Sequence, residues 1–158
     1  MDIGAVEAWA KAVILSVDPT LNVYPHERIV LNYDHLVEDF GIGAADPDDD
    51  LYEQTRGWIV TVDRVTPDFA GSYLEHDVRL NYFHSLYSRG ASEAAFDAHM
   101  AAVWAAFRDD RGSTLTGCFD MATPVVDELR LVEWPAVGGR LHHRGQITLS
   151  VNVSGQVR

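Results

Sequence analysis

Residues 146–153 alternate polar and apolar without a break. Gln146, Thr148, Ser150 and Asn152 hold one parity; Ile147, Leu149, Val151 and Val153 hold the other. A period of two belongs to a strand, whose successive side chains point to opposite faces. The chain must therefore build a sheet with one buried and one solvated face. A second β-rich run, Val125 to Trp134, is separated from Leu141 by Pro135-Ala136-Val137-Gly138-Gly139. Those turn residues predict a hairpin that joins 125–134 to 141–153.

The rest of the chain fits around that sheet. Trp58 to Val65 is dense in β-branched residues and reads as a strand. From Val78 the chain alternates again: Val78, Leu80, Tyr82 and Leu86 are expected on one face, Arg79, Asn81 and Ser85 on the other. Phe83 falls with the polar set, so that face is not expected to be fully solvated. Ile3, Val6, Ala10, Val13, Ile14 and Val17 recur at helical spacing, and Asp18-Pro19 ends that helix. A second helix runs from Ser92, its expected N-cap, to Gly112, with Phe96, Met100, Val103, Trp104 and Phe107 as its core stripe. Residues 28–33 suit a strand and residues 34–40 suit a short helix; the pattern leaves both open. Gly41 to Asp50 reads as a loop. The expectation is one α+β domain over residues 1–158: a mostly antiparallel sheet from 58–65, 73–87, 125–134 and 141–153, flanked by two main helices, 3–17 and 92–110.

At 158 residues a single core can fold without disulfides or metals. Cys118 is the sole cysteine, so no intramolecular disulfide forms and a reducing interior suits the chain. The acidic start, Met1-Asp2, and the charges Glu7 and Lys11 argue against a signal peptide. No apolar run approaches the roughly 20 residues of a membrane span. Asp and Glu number 24 against 12 Lys and Arg, a formal charge of −12. Such a surface repels nucleic acid, whose binding relies on basic residues displacing counterions. Arg140, His142, His143 and Arg144 form a local basic cluster, expected as a solvated hairpin.

Motifs for chemistry are incomplete. Asp46, Asp48 and Asp50 match the first spacings of a calcium loop, but Leu51 replaces the turn glycine and Gly57 replaces the bidentate Glu. Gly41-Ile42-Gly43 is followed by Pro and Asp rather than by the helix that holds a pyrophosphate. Among seven histidines, His142 and His143 point to opposite faces of a strand, and His76 and His84 lie about 27 Å apart at a strand's rise. His99 sits at the edge of the second helix's apolar stripe and reads as a core histidine. Cys118 has no activating neighbour in sequence and reads as an inert, buried thiol. No catalytic residue, metal or cofactor is expected.

The order of elements resembles the tail terminator, or tail completion, proteins of long-tailed bacteriophages, the family of the lambda minor tail protein U. The likeness rests on the N-terminal amphipathic helix, the Trp-Ile-Val-Thr-Val strand at 58–62 and the strand Val78 to His84. The helix Phe96 to Phe107 and the alternating strand Gln146 to Val153 complete it. It implies a non-enzymatic virion protein, assembled in the host cytoplasm, that forms a ring, usually a hexamer, on the end of the tail tube. Its partners are then itself, the tail tube protein and the head-tail connector. DNA passes through the ring without specific binding, and no membrane is involved. Ala98, Ala101 and Ala105, on the outer side of the second helix, serve helix propensity or let a neighbouring subunit approach. Asp46, Asp48, Asp49 and Asp50 would lie at the rim or lumen. Two rivals remain: another phage neck or head-completion protein, and an enzyme or ligand binder whose pocket on the sheet is lined by Trp58, Tyr82 and Phe83.

The incomplete calcium pattern leads to a direct test. Calorimetry is expected to show calcium binding in the millimolar range at most, and replacing Asp46, Asp48, Asp49 and Asp50 by Asn leaves folding intact. Micromolar binding would restore the metal reading.

Overall fold

The computed structural model describes residues 3–25, 38–44, 53–67, 71–86, 91–134 and 140–155. Its elements run α1 (Ile3–Val17), β1 (Asn22–Tyr24), β2 (Gly41–Ala44), β3 (Glu53–Pro67), β4 (Tyr73–Ser85), α2 (Ala91–Asp110), β5 (Cys118–Met121), β6 (Val125–Trp134) and β7 (Arg140–Ser154). This is an α+β fold on a mostly antiparallel sheet. The strand order is β1-β3-β4-β7-β5, with β2 also on β3 and β6 also on β7. The pairing of β1 with β3 is parallel; the other neighbours are antiparallel.

The expected hairpin is present: Val125 pairs with Thr148 and Trp134 with Arg140. The middle of the sheet is a three-strand ladder whose register lines side chains up in rows. Trp58 stands beside Tyr82, which stands beside Gly145; Val60, Leu80 and Ile147 make the next row, and Val62, Val78 and Leu149 the next. These rows face α1 and α2. Val6, Ala10, Val13 and Ile14 of α1 join Phe96, Met100, Val103 and Phe107 of α2 and the sheet in one buried cluster. Trp9, outside the spacing read from the sequence, is also buried. Its ring meets Phe107 edge-on at 5.4 Å and its indole N–H donates to Asp110 at 2.9 Å, joining the two helices. Ile3, expected in the stripe, is exposed. Gly145 leaves space in the first row: a Cβ there would lie 2.6 Å from Met100 Cε and 2.9 Å from Phe96 Cζ.

The opposite face is polar over most of the described sheet. Gln146 donates to Asn81 at 2.9 Å, Thr148 donates to Asp127 at 2.7 Å, Arg64 pairs with Asp77 at 2.9 Å, and Arg79 pairs with Asp63. At one end it closes over. Phe83 is buried there, as its odd placement foretold, beneath Phe40 at 4.5 Å, and Phe40 meets Tyr24 at 5.1 Å.

Several expectations need correction. Gly41–Ala44 is a strand, not loop, because its backbone pairs with Glu53 and Thr55 of β3. Ser85 is buried and Leu86 is exposed, the reverse of the alternation, since Ser85 lies under the closed end and Leu86 lies beyond the strand. Helix α2 begins at Ala91, so Ser92 lies within its first turn rather than ahead of it. Gly112 does follow the end of α2, with a left-handed φ of 75° that suits glycine. Residues 28–37 of the undecided stretch lie outside the described residues; 38–40 are helical.

Gly57 sets how closely β1 and Phe40 approach β3. A Cβ at Gly57 would lie 2.5 Å from Phe40 Cδ1 and 2.8 Å from the Asn22 carbonyl oxygen. The latter is backbone in a paired strand and cannot swing aside. Gly57→Ala is expected to lower stability by about 1–3 kcal/mol in chemical denaturation, the usual cost of overpacking.

Candidate functional site

Two features of the described structure invite a functional reading: an exposed apolar rim and a buried histidine cluster. The rim is the β6–β7 hairpin. Among the described residues β6 pairs with β7 alone, so its other edge carries no strand. Register places Val126 beside Ile147 and Leu129 beside Gly145, on the face that carries the helices. Leu129 is 58% exposed and Leu141 42%; Val126 is exposed on the same face, and Val125, beside Thr148, is exposed on the opposite one. An open edge with apolar side chains is a ready docking strand. Nothing in the sequence marks this rim, because β6 shows no clean alternation that would divide its apolar residues into inner and outer sets.

Helix α2 lies alongside. The Trp104 indole N–H donates to the Pro124 carbonyl oxygen at 2.7 Å, which turns that flank toward the start of β6. Ala101, one turn earlier on the same flank, is exposed. Ala98 is exposed too, whereas Ala105 is half-buried, so the expected outer stripe holds at Ala98 and Ala101 and recedes at Ala105. The expected rim or lumen residues Asp46, Asp48, Asp49 and Asp50 lie outside the described residues.

The histidine cluster sits between α2 and the sheet. Trp58 and Tyr82 stack at 4.8 Å, and the Trp58 indole N–H donates to His99 Nε2 at 3.0 Å. His99 is a core histidine, as its place on the helix suggested. Tyr82 Oη lies 3.3 Å from His84 Nδ1, and Ser92 Oγ lies 3.1 Å from His143 Nε2. Burial, then Arg56 and the neighbouring histidines, push His84 down to about 3. On the far face His142 is fully buried, not a solvated tip residue, with its Nε2 3.1 Å from Thr55 Oγ1 under the closed end. Among the described residues, no three His, Cys, Asp or Glu side chains gather as a metal site.

Two further expectations are settled by position. Trp58 and Tyr82 are fully buried under α2, and Phe83 points to the opposite face, so these three residues do not line a common pocket. Cys118 is half-buried rather than enclosed. Burial pushes its thiol up, the direction that leaves it protonated and a poor nucleophile. Among the described residues, one cavity of about 360 Å³ lies beside Val6, His76 and Leu115, and one of about 470 Å³ lies between Arg108, Arg111 and Phe119. Among the described residues, no helix is long and apolar enough to cross a membrane.

No family model matches the chain, and no curated protein matches it.

The rim and the alanine flank predict a separation of folding from association. Leu129→Ser and Ala101→Arg both alter exposed positions, where substitutions usually change stability by within about 0.5 kcal/mol. Both are expected to melt like the parent yet lower the mass measured by light scattering. A parental mass in both variants would remove this surface from any assembly.

Proposed function

We propose that this chain is a structural assembly protein that forms a ring at the end of a bacteriophage tail tube, where it stops tube growth and offers a surface for joining the head. The observation that carries the reading is the uneven surface of the described sheet. One face is sheathed by both helices, the other is a lattice of polar and charged pairs, and Val125, Val126, Leu129 and Leu141 are exposed on the hairpin at one edge. A ring subunit needs this inequality, because head-to-tail closure joins two different surfaces of each copy. The acidic balance, −12 overall, suits a conduit through which DNA slides without adhering. The reading is supported by the long elements on which the resemblance rests, which occur in the expected order with the short strands β1, β2 and β5 set between them.

In this reading the protein works in the virion tail, with the tube protein and the head-tail connector as partners and no catalytic step. Mixing it with growing tail tubes and imaging them by electron microscopy tests the proposal. Tubes are expected to stop at a shorter, uniform length with an added ring at one end. Tubes of unchanged length and bare ends would refute it.

A further inference from the structure

We propose that His99 is a proton-sensitive latch that holds the N-terminal half of α2 on the sheet and releases it in acid. An indole nitrogen can only donate. Trp58 Nε1 lies 3.0 Å from His99 Nε2 with both residues buried, so Nε2 must present its lone pair. The closed arrangement therefore requires a neutral His99 with its proton on Nδ1. An imidazolium has no lone pair to offer, and its Nε2–H would face the indole N–H.

The surroundings leave the extra charge poorly compensated. Arg56 on β3 opposes it; Asp18, at the end of α1, favours it but is already engaged by Arg56 at 3.0 Å. His84 on β4 and His143 on β7 also stand in this core. Tyr82, 4.6 Å from the His99 ring between centroids, is hydrogen-bonded toward His84. Burial first and Arg56 second push His99 down to about 4.

The release is local because the two halves of α2 are held differently. Its first half rests on Ser92 with His143, Phe96 stacked on Tyr82 at 5.6 Å, and His99 with Trp58. Its second half is fastened by Trp104 to Pro124 and by Asp110 to Trp9, and neither bond involves a histidine. Beneath it the β3–β4–β7 ladder is joined by backbone hydrogen bonds that do not titrate. The sign follows from linkage. A histidine whose folded pKa is lowered stabilises the closed form fully above its ordinary value near 6.5, and that contribution is lost as pH falls toward 4. In the closed form burial holds His84 down to about 3, so it stays neutral there, and it adds to the acid response only where opening exposes it.

Hydrogen exchange followed by NMR tests the latch, with imidazole nitrogen shifts recorded alongside. Between pH 7 and pH 4.5, protection of residues 95–100 is expected to fall by about a hundredfold, the factor set by two pH units below an ordinary histidine pKa. Protection in β4 and β7 is expected to hold. In His99→Gln the side-chain oxygen accepts the Trp58 bond and cannot titrate, so residues 95–100 should lose much less protection in acid. The Nδ1–H tautomer of His99 at pH 7 is required in the parent. Simultaneous loss of sheet and helix protection, an Nε2–H tautomer, or an undiminished acid response in His99→Gln would each overturn the proposal. If His99→Gln does not fold, the parent's tautomer and its residue-by-residue exchange decide.

Discussion

The structure depends on the ladder of β3, β4 and β7. These long strands pair through their middles in one register, so each inward side chain has a lateral neighbour on the next strand: Trp58 with Tyr82, Val60 with Leu80, Leu80 with Ile147. Cross-strand pairs of this kind are the unit of sheet stability. A slip of one residue would turn Trp58, Val60, Leu80 and Ile147 outward and bring Thr61, Arg79, Asn81 and Gln146 under the helices. Both helices are mounted on those rows, and the short strands β1, β2 and β5 are attached at the ladder's margins.

This arrangement gives the described sheet two unlike sides. The helix side contains few polar groups, and several of those it buries pair with one another: Trp58 with His99, Tyr82 with His84, and Ser92 with His143. The far side carries Arg64 with Asp77, Arg79 with Asp63, and a run of Thr, Asn and Gln. These ion pairs are partly or largely exposed and contribute little stability. They keep the face wet and discourage apolar contacts there. The exposed apolar residues Leu129 and Leu141 are displaced to the hairpin edge. In the assembly reading this distribution decides where copies meet and where they do not.

Much of the fold was legible because its main elements are long. Residues 146–153 alternate cleanly since one face of β7 is buried and the other is wet along its length. Helices α1 and α2 each repeat an apolar stripe over several turns. The three- and four-residue strands β1, β2 and β5 were not legible, because so few residues show no period. The closed end of the far face was hinted at by Phe83 alone. Its cover, Phe40, comes from a distant part of the chain, and nothing local to Ser85 or His142 announces their burial. Of the candidate surface, Ala98 and Ala101 could be read from helical geometry. The hairpin rim could not, because a strand's pattern does not show whether its apolar residues are covered.

The claim that the ladder bears the rest is open to direct measurement by amide hydrogen exchange at neutral pH. Slowest exchange marks the part that opens only with global unfolding. The account predicts it at the centre of the ladder, at Val60, Leu80 and Ile147, with α1, α2 and the short strands opening at lower cost. If the slowest amides lie in the helices while those three exchange early, the sheet is not the foundation and the account is wrong.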